Sequence, residues 1–424
     1  MKLLRSRYIR EIWFLTSELE SERASSFRQE RWCRIFLEAG AMLRLFNLRG
    51  AFDHSDAVCA DAEALAAFRR EGLARYHGPQ ASVREGLTVR LLRRVKHLLL
   101  VDLYLPNVIK LYRRLDMLLR ARSEPVVLMA SSPPFSVAVV GALIKRRHPN
   151  KVVFAVDMRD AWALHNALGG IKAIKRAIER RVLRRADHVT TVSKGLADEF
   201  RENYGVDVGV MYNVATHYLD APPATCIDLR EVNPAIDSGR TTLVYTGSTP
   251  EHHYDLAAIV GAVARLRRER PDLVSRLQLV FVGACDEVRR EAQVQGVGAP
   301  EIVFVSHLPH ATVRSVQASA TALLFLAHHG PNNMGVVSTK LFEYLCLGQH
   351  VMPFDLCEGS DVDLLLRRYC GTSINVHGEQ AIAALLARVV ERGPVELPRL
   401  DDVRRVRELL DDYRHYAHVL LKSG

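Results

Sequence analysis

Residues 126–162 read VVLMASSPPFSVAVVGALIKRRHPNKVVFAVDMRDAW. The run Val126–Ala130 is short, apolar and rich in valine, which suits a buried strand. Ser131, Ser132, Pro133 and Pro134 then interrupt it, because paired prolines cannot donate to a strand ladder or sit inside a helix. A helical pattern follows until His148–Pro149–Asn150, and Val152–Val156 begins a second strand. Strand, helix and strand within so few residues imply a parallel βαβ unit. The uncharged run Val126–Ile144 is long enough to raise a membrane span. Its central Ser-Ser-Pro-Pro reads better as the turn between a strand and a helix.

The same alternation extends outward in both directions. Candidate strands lie at Ile12–Thr16, Met42–Asn47, His188–Val192 and Val208–Tyr212, with a basic amphipathic helix at Ile171–Arg185. Thr88–Arg122 is helical in pattern and strongly basic. Residues 220–240, DAPPATCIDLREVNPAIDSGR, break the rhythm with proline and small polar residues and read as a linker. A second alternation follows. Its strands are Thr242–Thr246, Leu277–Val282, Ile302–Val305, Ala322–Leu326 and Gln349–Pro353. Its helices are Leu256–Arg270, Asp286–Gln295, Ala311–Ser319 and Ser338–Leu347, and a last helix spans about Leu400–Lys422. The expected fold is α/β, with two Rossmann-like doubly wound domains facing a cleft and a C-terminal helix. The boundaries read as 1–219, a linker at 220–240, a second domain at 241–395 and a final helical segment at 396–424. In such sheets ligands bind beyond the carboxyl ends of the strands, so the cleft is the default site.

The chain has 424 residues, with 58 Lys and Arg against 48 Asp and Glu. Residues 1–220 hold 37 basic and 24 acidic side chains, net +13, whereas the rest hold 21 and 24, net −3. The proportions exclude a disordered or collagen-like chain. The basic half points to nucleic acid, an anionic membrane face or phosphorylated ligands. No aromatic stacking platform or nucleic-acid module accompanies the charge, so nucleic acid is not expected. The basic helices RLLRRVKHLLL and KLYRRLDMLLRAR combine Arg and Lys with Leu; they read equally as a membrane face or as helices with solvated basic sides. Seven scattered cysteines without a Cys-x-x-Cys spacing suggest small buried hydrophobes in a reducing compartment. The apolar stretch after Arg10 and Glu11 is too short for a signal-peptide core. A cytoplasmic protein, in reach of the inner membrane face, is expected.

Five stretches in order resemble the GT-B glycosyltransferases, in particular the large retaining, nucleotide-sugar-dependent group (glycosyl transferases group 1, family 4-like). MASSPPFSVAVVGALIKRRHPNKVVFAVDMRDAW (129–162) resembles that group's SSPP and DxRDxW elements, with Ala161 where proline is usual. ERRVLRRADHVTTVSKGLADEF (179–200) and VMYN (210–213) resemble the elements that follow, with Val214 where glycine is usual. LVYTGST (243–249) resembles the loop after the first strand of the second domain. STKLFEYLCLG (338–348) is similar to the donor helix.

The resemblance implies a GT-B fold in which 396–424 is a C-terminal crossover helix packing back on the first domain, and transfer of a sugar from a nucleoside diphosphate without a bound metal or other cofactor. Such chemistry needs donors that stabilise the departing diphosphate and hold the acceptor oxygen. A helix starting at Ser338 offers free N–H groups and its positive dipole end to phosphate. Lys340 in its first turn adds a full charge, unless it is simply solvated. Glu343, one turn on, is by resemblance the ribose ligand; the bland alternative is a Lys340–Glu343 surface pair. Relatives carry an earlier glutamate where this chain has Gly335, so the backbone of Gly335, Val336 and Val337 is the expected sugar contact. Gly247 and Ser248 form a turn suited to close approach of a diphosphate. Relatives place Arg and Lys after this glycine. Here Ser248, His253 and Tyr254 stand there; His252 and His253 are candidate hydrogen-bond donors, and neutral imidazole is a weaker substitute for a fixed cation.

On the first domain, Arg159 and Asp160 end a strand at the expected cleft and are the catalytic candidates; the alternative is that they orient the Trp162 loop. Asp157 reads as structural. Ser131, Ser132, Ser193 and Asn213 are cleft-edge candidates, and Ser25 and Arg28 are acceptor candidates in a first loop that lacks glycine. His307 with His310, and His328 with His329, raise the metal question, but no third ligand stands at a convincing spacing. Asp361 and Asp363 read as the start of a helix. The expected function is therefore transfer to a saccharide or lipid-linked acceptor in surface polysaccharide or glycoconjugate synthesis. A non-catalytic GT-B relative serving as a binding or regulatory subunit, and a GT-B-fold nucleotide-sugar epimerase, are the rivals.

Overall fold

A computed structural model of the chain describes residues 8–16, 24–48, 56–76, 105–164, 171–250, 253–328 and 333–423. Two compact units emerge: residues up to Tyr212 together with Leu409–Gly424, and Asn213–Glu408.

The first unit is built on a seven-stranded sheet in the order β3-β2-β1-β4-β5-β6-β7. These strands are β1 (Glu11–Thr16), β2 (Met42–Asn47), β3 (Asp56–Cys59), β4 (Val126–Ser132), β5 (Val152–Met158), β6 (His188–Thr191) and β7 (Gly209–Val210). All pairings are parallel except β2 with β3. Strand β3 was not expected from the sequence; its four residues, DAVC, carry too little apolar pattern to show themselves.

Strand pleating sorts the buried side chains between two cores. Trp13 and Leu15 of β1, Leu128 and Ala130 of β4, and Phe154 and Val156 of β5 enter one core. That core is closed by α3 (Leu105–Arg120), α4 (Phe135–Arg147) and α5 (Lys172–Leu183). Ile12, Phe14, Val127, Met129, Val153 and Ala155 enter the other, against Trp32 and Phe36 of α1 (Ala24–Glu38) and Leu65 of α2 (Ala62–Tyr76). There Tyr413, Ala417, Leu420 and Leu421 of the last helix, Glu408–Lys422, complete the layer. Both faces of the sheet are thus covered, as its parallel strands require. The last helix starts later than expected, because Val403–Arg407 forms a separate 3-10 turn capped by Asp402.

The second unit carries a five-stranded parallel sheet in the order β10-β9-β8-β11-β12. Its strands are β8 (Thr241–Thr246), β9 (Leu277–Val282), β10 (Ile302–Val305), β11 (Ala322–Leu326) and β12 (Val351–Phe354). The stretch 220–240 is no free linker but part of this unit. Leu229 and Ile236 are buried, and Ile227 N–H donates to Ser319 Oγ at 2.8 Å. Likewise 396–408 stays with the second unit, and the chain returns to the first only from Leu409. The topology reverses between β1 and β4 in one sheet and between β8 and β11 in the other, and open α/β sheets place ligands beyond the carboxyl ends at such points. Among the described residues no helix is long and apolar enough to cross a membrane.

Candidate functional site

In the second unit, Gly247 follows β8 at the switch point and has φ 137°, a conformation that favours glycine. A Cβ added to it would lie 2.3 Å from Lys340 Cε and 2.7 Å from Lys340 Nζ. Gly283, after β9, has φ 114°, and a Cβ there would lie 2.3 Å from Gly247 O. The two glycines therefore let one loop rest on the other and leave a channel that the lysine occupies. Tyr245, buried in β8, places its ring 5.3 Å from Lys340 Nζ and donates its hydroxyl to Ser248 O at 2.7 Å. Ser248 itself is exposed.

Lys340 stands in the first turn of the helix Thr339–Leu347, whose N-cap Ser338 accepts from Lys340 N–H. Leu341, Phe342, Tyr344 and Leu345 bury the opposite side of the helix and hold its start in place. Burial pushes the Lys340 ammonium below its ordinary value, with Glu343 opposing. It pushes the half-buried Glu343 carboxyl up, with Lys340 and a hydrogen bond to Gln317 opposing. Gln317, fully buried, donates to Thr246 Oγ1 at 2.8 Å and accepts from Tyr218 Oη at 2.8 Å. A polar chain Tyr218–Gln317–Thr246 thus backs the carboxylate. Sequence reading missed Gln317, Tyr218 and Tyr245, since none stands in a chemical motif.

The backbone of Gly335 ends a 3-10 turn, Asn333–Gly335, and Val336 and Val337 lead half-buried into the Ser338 cap. The His253 ring meets His328, beyond β11, at 4.8 Å in a T-shaped contact. His252 and His329 lie outside the described residues. Asn213 belongs to this unit and donates to Thr339 Oγ1 at 2.9 Å, so it ties the start of the Thr339–Leu347 helix to the entering chain. His307 is exposed. Asp363 follows the N-cap Ser360 and accepts from Gly359 N–H and Arg367, as a helix start.

In the first unit, Arg159 follows β5. Its backbone N–H donates to Ser132 O at 2.9 Å, and its guanidinium to Ser132 O at 3.2 Å and to Pro133 O. The side chain clamps the turn after β4, while Asp160 is exposed. Trp162 stacks on Phe135 with ring centroids 4.3 Å apart, and Lys175 Nζ lies 5.0 Å over the Trp162 ring. Glu179 closes this loop from behind: it accepts from Ala163 N–H at 3.3 Å and from Tyr204 Oη at 2.6 Å. Burial raises its carboxyl to about 7, against those hydrogen bonds.

Three residues expected to face a ligand have their polar groups occupied inside the fold. The Arg28 guanidinium is fully buried, bidentate to Asp157 at 2.9 and 2.5 Å, and donates to Met211 O and Tyr413 Oη. Local sequence cannot show a carboxylate 129 positions away, so Arg28 is reassigned from acceptor contact to scaffold. Ser131 Oγ donates to the same Asp157 at 3.1 Å, beside Thr190 Oγ1 at 2.9 Å. Ser193 is the N-cap of the helix Lys194–Tyr204 and accepts from Leu196 N–H, which takes it from the ligand edge. Ser132 is buried beside the Arg159 clamp. The Ser25 side chain lies outside the described residues.

This architecture, two Rossmann-like units with a C-terminal helix that belongs to the first, is the GT-B fold. Residues 41–214 match the model of the glycosyl transferase 4-like domain. Solved structures with similar folds include a UDP-forming α,α-trehalose-phosphate synthase from Burkholderia xenovorans: TM-score 0.60, 11% identity, 98% of this chain and 99% of that one. An E. coli structure, described as trehalose-6-phosphate bound with UDP-2-fluoro glucose, gives TM-score 0.59, 8% identity, and 98% and 99% coverage. Sucrose-phosphate synthase from Thermosynechococcus elongatus gives TM-score 0.56, 12% identity, and 97% and 95% coverage. No curated protein matches the chain by sequence.

Proposed function

We propose that this protein transfers a sugar from a nucleoside diphosphate, with retention and without a metal in the chemical step, to a saccharide or lipid-linked acceptor. The observation that carries the reading is Lys340 lying across Gly247, with Glu343 one turn further on, at the switch point of the second sheet. A lysine and helix N–H groups aimed at one loop supply the positive charge that a departing diphosphate needs. Glu343 offers a carboxylate to two adjacent ribose hydroxyls. The second unit is the donor unit in this reading. UDP is the first nucleotide to test, since similarly folded proteins are UDP-forming or bound to a UDP-sugar. Arg159 and Asp160 are retained as the acceptor-side pair: Arg159 sets the Ser132–Pro133 turn, and exposed Asp160 meets the acceptor.

The acceptor unit in this reading docks on anionic lipid at the cytoplasmic face, during surface polysaccharide or glycoconjugate synthesis. Its support is one outward face of α3 that presents Ile109 and Met117, each about half exposed, among Lys110, Arg113 and Arg114. Ile171 and Ile174 are likewise exposed beside Lys172 and Arg176 of α5. Apolar tips within a basic surface suit the membrane interface.

The test is a thermal-shift screen against UDP, GDP, ADP and their sugar conjugates, followed by transfer assays with the one that binds. A stabilising shift abolished by Lys340→Ala supports the donor site; no shift with any nucleotide rejects it. The non-catalytic reading has its own support in His253, which meets His328 where a fixed cation would otherwise stand. Nucleotide binding with neither transfer to any acceptor nor hydrolysis of the donor would favour it.

A further inference from the structure

Glu343 has neighbours that the donor reading does not use. His217, on the single turn Thr216–Leu219, and His310, the first residue of the helix His310–Ala318, converge on it. One ligand atom from each of the three residues lies within 4.8 Å of the others. For a triangle with sides no longer than this, some point lies within about 2.8 Å of every corner. Zinc–nitrogen bonds are about 2.0–2.1 Å, so closing on an ion takes an inward movement of roughly 0.7 Å per donor atom. Small side-chain rotations supply that.

The surroundings are those of a supported set of ligands. Tyr218 meets the His217 ring edge-on at 4.9 Å and the His310 ring edge-on at 5.5 Å, so one buried ring orients both imidazoles. The Tyr218 hydroxyl is anchored on Gln317, and Gln317 hydrogen-bonds Glu343. Outer groups that orient the ligands in this way are a regular part of metal sites. The three ligands come from separate segments of the second unit, and sequence spacing cannot reveal their meeting.

We propose that His217, His310 and Glu343 form a binding site for a divalent ion of the zinc class. Two imidazoles and one carboxylate are a zinc-type donor set, whereas magnesium and calcium prefer oxygen ligands throughout. With three protein ligands the ion keeps an open position for water. The ion is not a participant in sugar transfer; it takes the carboxylate assigned above to the ribose. Ion and nucleotide therefore compete, each weakening the other by the same factor. The competition rests on the donor-site reading, while ion binding does not.

The test is a Zn²⁺ titration of the tag-free full chain against a chromophoric chelator, repeated with His310→Ala and with His217→Ala. Circular dichroism confirms folding of both variants, and His310 is exposed, so its replacement leaves the core intact. The expected result is one ion per chain, with affinity reduced tenfold or more in each variant. Co²⁺ bound at this site is expected to show no thiolate charge-transfer band. Absence of binding, affinity unchanged in both variants, or a thiolate band at stoichiometric Co²⁺ overturns the site. Adding UDP is expected to weaken Zn²⁺ binding in the wild type. If UDP stabilises the protein thermally but leaves Zn²⁺ affinity unchanged, the shared carboxylate is overturned and the donor site stands. If UDP does not bind while Zn²⁺ binding depends on both histidines, the donor reading fails and the ion site stands.

Discussion

Lys340 occupies the space that a side chain on Gly247 would fill, with its Cε 2.3 Å from where that Cβ would stand. Gly247→Ala must therefore displace the lysine and also strain a backbone at φ 137°. The expected outcome is a loss of about 1–3 kcal/mol in stability, as for other forced contacts, together with a marked loss of nucleotide affinity. Urea denaturation and a nucleotide titration measure the two. Stability falling while nucleotide affinity stays at the wild-type value would show that Lys340 does not serve the donor.

The buried pair Arg28–Asp157 carries a second prediction. Burial alone would raise the Asp157 carboxyl, but Arg28 and the Thr190 hydroxyl hold it below its ordinary value. Arg28→Met or Asp157→Asn each leaves a buried charge without its partner, which costs about 3–5 kcal/mol. The double variant is expected to lose clearly less than the sum of the two. A carboxyl with a depressed folded pKa contributes stability above its unfolded value of 3.8, and loses it as pH falls through the folded value. Acid unfolding of the wild type should thus show a component below about pH 4 that Asp157→Asn lacks. Additive single-variant effects in urea would remove the coupling.

Glu179 gives a pH dependence of the opposite sign. Its folded carboxyl titrates at about 7 against an ordinary 4.5, so folding favours the neutral form. Its contribution is complete below about pH 4.5 and is lost as pH rises through about 7. Glu179→Gln keeps a carbonyl oxygen to accept from Tyr204 or Ala163 and removes the charge. The variant is expected to be more stable than wild type at pH 8, by no more than about 3 kcal/mol, and to lose this advantage by pH 5. Because Glu179 holds Ala163 beside the Arg159 loop, wild-type activity should decline through the same pH range and the decline should flatten in the variant. Parallel stability profiles for the two proteins would reject the assignment.

How much of this was legible depends on how far apart the cooperating residues stand in sequence. The βαβ unit at 126–162 declared itself because its strands, its proline turn and its helix are contiguous. Lys340 and Glu343 could be placed together because one helical turn separates them. Gln317 and Tyr218 gave no such signal; they meet Glu343 only through packing of separate helices. Arg28 reads as an acceptor contact in the sequence because its partner Asp157 sits on a distant strand. The stretch 220–240 reads as a linker because prolines and small polar residues break its pattern, although Leu229 and Ile236 are buried and fasten it to the second unit.

Gly141 shows the same limit within the most readable segment. It stands mid-helix in α4, where glycine is unfavourable by roughly 1 kcal/mol relative to alanine. By propensity alone Gly141→Ala should stabilise the protein. The structure reverses the sign: a Cβ at Gly141 would come within 2.1 Å of Phe154 Cε2 and 2.6 Å of Cζ, in a core where both residues are buried. Phe154 also sits on β5, two turns of pleat before the Arg159 clamp, so the ring has little freedom to retreat. The expected cost of Gly141→Ala is about 1–3 kcal/mol. Phe154→Leu in the alanine background should recover part of it by opening the contact, although the same change alone destabilises the wild type. Measured in urea, a stabilised Gly141→Ala, or a second change that only adds to the loss, would mean that helix and strand separate more readily than this packing allows.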